Sequence, residues 1–93
     1  MANIQGTFGY DAGTAGTAVV PKNAMIKQII AHASAGGATC TINGGTAIPI
    51  INGANYLQLA FDDDSAPVGT AAGNPSVVFA GTDHYMVVYK TMP

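Results

Sequence analysis

Apolar and polar residues alternate along much of this chain in short runs, and most runs end at Gly, Pro or Asn. Within residues 38–43, Ala38, Cys40 and Ile42 alternate with Thr39, Thr41 and Asn43, the period of two that sends successive side chains to opposite faces of a strand. The same reading predicts strands over 4–9, 17–20, 25–33, 38–43, 47–51, 56–61, 76–80 and 84–91. These runs are rich in the Thr, Val, Ile and aromatic residues that suit a pleated surface. No run of strong helix formers is long enough to hold a 3.6-residue period. Seven to eight short, mostly antiparallel strands predict one all-β domain over residues 1–93, a small β-sandwich or barrel.

The punctuation between the runs predicts turns. Asn43-Gly44 supplies the positive φ angles of a tight hairpin turn. Pro49 has no amide hydrogen, so its strand belongs at a sheet edge or must present that residue outward. Gly81-Thr82-Asp83 predicts a second hairpin, joining 76–80 to 84–89. Residues 62–74, with three consecutive Asp followed by Ser65, Pro67, Gly69, Thr70 and Gly73, read as the longest surface loop and a place for a contact. Residues 11–16 read as a shorter flexible connection.

Two strands are apolar on both sides. In 84–91, His84, Met86 and Val88 fall on one face and Tyr85, Val87 and Tyr89 on the other; in 25–33, Met25 and Ile29 oppose Ile26 and Ile30. A two-layer domain needs only one face of each strand for its core, so a second apolar face implies a cover. Tyr85, Val87 and Tyr89, together with Met25 and Ile29, are the expected intersubunit contact, because rings bury apolar area while their hydroxyls reach a polar rim.

Charge narrows the partners. Only 9% of the residues are Asp, Glu, Lys or Arg, with three Lys, no Arg, no Glu and a net charge of −2, against about a quarter in an ordinary soluble domain. Such a chain cannot neutralise a row of phosphates, which argues against nucleic acid, and it carries no basic amphipathic segment for a membrane surface. No apolar run approaches the roughly 20 residues that span a bilayer. The first residues show no basic-then-apolar leader, and the single Cys40 has no internal partner, so synthesis in a host cytoplasm is expected.

Candidate chemistry is sparse. Asp62-Asp63-Asp64 could offer oxygen ligands to Ca²⁺, but the run lacks the alternation and closing Glu of a calcium loop, so a solvated acidic turn is expected. His32 and His84 have no ligand at chain spacing except Asp83, which as a strand neighbour of His84 points to the other face. Cys40, in an alternating strand, reads as a small buried apolar residue, and Ser34, Ser65 and Ser76 lack the context of a nucleophile. Tyr10, Tyr56, Tyr85 and Tyr89 are expected in core or interface packing rather than in a sugar platform. No cofactor, metal site or enzymatic activity is expected.

The run from Ala38 to Ile50, and that from Asn74 to Tyr85, resemble segments of small Gly- and Thr-rich structural proteins of tailed-phage virions. That resemblance covers about half the chain and implies a capsid decoration or cement subunit. Its expected location is the virion, and its expected partners are copies of itself and a major capsid protein. The alternative is a tail or fibre module that attaches to host surface glycans.

Overall fold

The computed structural model describes residues 6–51, 56–69 and 73–91. Its strands are β1 (Thr7–Gly13), β2 (Gly16–Thr17), β3 (Ala24–His32), β4 (Thr39–Ile42), β5 (Ile48–Pro49), β6 (Leu57–Ala60), β7 (Val77–Ala80) and β8 (His84–Thr91), with no helix among the described residues. They form two four-stranded sheets, sheet A in the order β1-β8-β3-β6 and sheet B in the order β2-β7-β4-β5, with antiparallel neighbours throughout. The fold is all-β and sandwich-like, and the sheets do not close into a barrel. The expected start of the first strand at Ile4 lies outside the described residues.

The core forms where the inward faces of the two sheets meet. β3 contributes Ala24, Ile26, Ile29 and Ala31, β8 contributes Tyr85 and Val87, and sheet B answers with Val77, Phe79 and Cys40. The Phe79 and Tyr85 rings stack across the sandwich with centroids 4.3 Å apart and planes 12° from parallel.

β3 does not keep one alternation along its length. Ile26 faces Tyr89 and Gln28 faces Val88, which leaves Lys27 as an extra residue in a bulge. Ala24 and Ile26 point inward before it, and Ile29 and Ala31 after it. Met25 and Ile29, four residues apart, therefore lie on opposite faces.

β1 runs on to Gly13 and absorbs half of the connection expected over 11–16. The reason lies in its inward positions, Gly9, Asp11 and Gly13, which pair with Tyr89, Val87 and Tyr85. A Cβ at Gly9 would come within 2.8 Å of the Tyr89 ring, and one at Gly13 within 3.0 Å of the Tyr85 hydroxyl. The glycines thus give two rings room beneath an edge strand.

The Asn43-Gly44 turn forms as expected, with φ of 51° and 70°, closed by Gly45 N–H donating to Ile42 O at 3.0 Å. Pro49 sits exposed on the edge strand β5. The second expected hairpin does not form. β7 belongs to sheet B and β8 to sheet A, so Gly81-Thr82-Asp83 carries the chain from one sheet to the other. A three-residue Gly loop serves either geometry, and here each strand buries its apolar face against the other instead of pairing with it.

Candidate functional site

Four of the five side chains expected at an intersubunit contact face the interior of the sandwich. Val87 and Ile29 are fully buried, Tyr85 is 7% exposed, and Tyr89 packs against the core cluster. Met25 points outward, yet it is buried where Val68 bridges to it. Two-sided apolarity is real in these strands, but the face left open to solvent is the other one.

The outer face of sheet A follows from the register. Tyr10, Val88, Gln28 and Ala60 form one row across the sheet, Ala12, Met86, Ile30 and Gln58 the next, and Phe8 stands beside Lys90. Phe8 and Tyr10 are 62% and 69% exposed, while Met86, Val88 and Ile30 are half-buried beside them. Burying the open part of each ring would remove roughly 130 Å² from water, worth about 3 kcal/mol at about 25 cal/mol per Å². Sheet B differs: its outer face carries Thr17, Thr39 and Thr41 around Val78, a composition that water tolerates.

One end of this face is closed by the loop after β6. Pro67 O accepts from Ile26 N–H at 2.8 Å, so the loop rejoins the edge of β3 after an excursion. That excursion lays Asp63 between two lysines: Lys27 Nζ donates to Oδ1 at 2.7 Å and Lys90 Nζ to Oδ2 at 2.9 Å. The Asp63 side chain is only 5% exposed. The acidic run is therefore not a wholly solvated turn, because its middle residue neutralises charge on the outer face. Asp62 and Asp64 remain exposed.

At the other end, the register sets His32 directly against His84. Their rings stack with centroids 5.1 Å apart, and Tyr56 leans on both at 5.0 and 5.4 Å. His84 Nε2 lies 2.9 Å from the Tyr56 hydroxyl. His32 Nδ1 lies 3.1 Å from one oxygen of Asp83, and Ser34 Oγ donates to the other at 2.9 Å. The Ser34 hydroxyl, helped by His32, holds the exposed Asp83 carboxyl below its ordinary range. The order Ser34–Asp83–His32 puts the carboxylate in the middle, so the imidazole is not placed to take the serine proton as a general base must. This cluster was hidden in the sequence, where the two histidines stand 52 positions apart; only the pairing of β3 with β8 joins them.

Elsewhere polar groups serve the fold. Asp11 Oδ2 accepts from Val19 N–H at 2.9 Å and from the Tyr85 hydroxyl at 3.0 Å, and burial followed by this carboxylate pushes the Tyr85 pKa up. Cys40 is buried, as its alternation predicts, and burial raises its thiol to about 11. Among the described residues, no three His, Cys, Asp or Glu side chains converge to hold a metal, no buried side-chain polar atom lacks a partner, and no helix is long and apolar enough to cross a membrane. Comparison with protein families, characterised proteins and solved structures found no match to the chain.

Proposed function

We propose that this chain is a non-enzymatic structural subunit of a virus particle, of the phage capsid decoration or cement kind, which strengthens a shell through protein contacts. The observation that carries this reading is the outer face of sheet A, with Phe8 and Tyr10 open to solvent beside Met86, Val88 and Ile30. Apolar faces of this kind favour burial against another protein. The low charge content fits such a contact, because charged residues are depleted from interface centres. So does Asp63, which offsets both lysines at the margin of the face. Copies of the chain and a major capsid protein are the partners this reading implies.

The test is stoichiometry in purified particles of the virus that encodes the chain. The reading expects a fixed ratio to the major shell protein, lower thermal stability in particles that lack the chain, and loss of attachment in Val88→Asp. Particles that contain none of the chain would sink it.

A second reading, a tail or fibre module for host glycans, draws on the exposed Tyr56 ring packed on His32 and His84, with Asp83 bonded to His32 and Ser34 bonded in turn to Asp83. It predicts saturable binding to a glycan array that Tyr56→Ala removes, at a copy number far below that of the shell protein.

A further inference from the structure

Among the described residues four strands form the edges of the two sheets, and three of them are short. β2 and β5 have two residues each and β6 has four, and β5 carries Pro49. β1 is different: seven residues, Thr7–Gly13, with no Pro, no Lys and no bulge in its pairing with β8. Folded proteins blunt their edges with short strands, proline, lysine or bulges, because an open row of backbone N–H and C=O groups recruits another strand. Among the described residues β1 has none of these four devices; its one charged side chain, Asp11, points inward and is taken up by the Tyr85 hydroxyl and Val19 N–H, and its outward side chains include the exposed Phe8 and Tyr10.

We infer that β1 pairs antiparallel with β1 of a second copy, about a two-fold axis at Tyr10, to give a continuous eight-stranded sheet. The sequence of the strand selects both the occupant and the register. An axis perpendicular to the sheet keeps outward residues opposite outward residues, so it must pass through a residue position. At Asp11 it would set two carboxylates opposite each other, which destabilises a pair. At Gly9 it would pair only residues 7–11. At Tyr10 all seven residues pair: Thr7 with Gly13, Phe8 with Ala12, Gly9 with Asp11, and Tyr10 with itself. Phe8 then stands opposite a small residue and diagonal to the partner's Tyr10, within reach of an aromatic side chain. Asp11 keeps its bonds to Tyr85 and Val19 and meets only Gly9. The seam gathers the Phe8 and Tyr10 rings of both copies on one outer face.

This inference does not rest on the virion reading and can be tested on the isolated chain. Sedimentation equilibrium of the wild type should give twice the mass of one chain. Tyr10→Lys and Tyr10→Glu each place like charges opposite one another at the axis, so each alone should sediment as a folded monomer with an unchanged far-UV spectrum. Because Tyr10 pairs with itself, an equimolar mixture of the two should return to the dimer, one copy of each. A monomeric wild type at about 100 μM, where a dimer with a Kd of about 1 μM would be almost wholly associated, would overturn the inference. So would variants that stay dimeric, or a mixture that stays monomeric. If charge at position 10 unfolds the chain, Tyr10→Cys decides: mild oxidation should yield a disulfide-linked dimer, and its absence would overturn the pairing. The buried Cys40 does not compete for that bond.

Discussion

Asp63 faces Lys27 and Lys90 with a nearly buried carboxylate, and removing it leaves two poorly solvated lysines without that counter-charge. Asp63→Asn is therefore expected to cost about 2–4 kcal/mol in denaturant unfolding. Asp62→Asn and Asp64→Asn, exposed on either side, should stay within about 0.5 kcal/mol. Equal effects at all three positions would show that the run acts only through its summed charge. Nothing in three consecutive Asp distinguishes the middle one; its role depends on a bulge that turns Lys27 toward it. Cys40 shows the opposite case, since alternation alone marked it as buried. Its thiol pKa is raised from 9.0 to about 11, so its contribution to stability is fully present below pH 9.0 and is lost as pH rises through about 11. The raised pKa of Tyr85 acts in the same direction. The melting temperature should fall between pH 9 and 11, and less steeply in Cys40→Ala; parallel curves would assign the loss to other groups.

At the scale of elements, strands were legible because alternation and turn residues are local signals. The Asn43-Gly44 turn was legible for the same reason. Gly44 at φ 70° has open space where a Cβ would sit, so Gly44→Val should cost about 1–3 kcal/mol through backbone strain rather than a clash. An unchanged melting temperature would contradict this. Register was not legible, because the Lys27 bulge reverses the faces of β3 at its midpoint and no pattern announces it. Nor could the sequence say whether Gly81-Thr82-Asp83 joins paired strands or changes sheets, since the choice depends on which partners β7 and β8 find elsewhere. The end of β1 was missed because Gly9 and Gly13 look like turn residues, whereas here they make room for Tyr89 and Tyr85.

For the whole molecule, the sequence revealed that β8 is apolar on both sides but not which side faces the core. The decision lies with sheet B: Phe79 stacks on Tyr85, and that contact turns Tyr85, Val87 and Tyr89 inward and His84, Met86 and Val88 outward. Adjacent valines then give a direct comparison. Val87 is fully buried, and Val87→Asp would place a carboxylate among apolar groups, at a cost comparable to the roughly 5–15 kcal/mol that holds a domain together. That variant should lose its β-sheet circular dichroism at 25 °C. Val88 lies on the outer face between Tyr10 and Gln28, where an aspartate keeps access to water. Val88→Asp should melt within a few degrees of the wild type and, if the proposed virion role holds, fail to co-sediment with particles. A Val88→Asp chain that attaches at the wild-type ratio would remove this face from the proposed contact, and a folded Val87→Asp chain would contradict the sandwich itself.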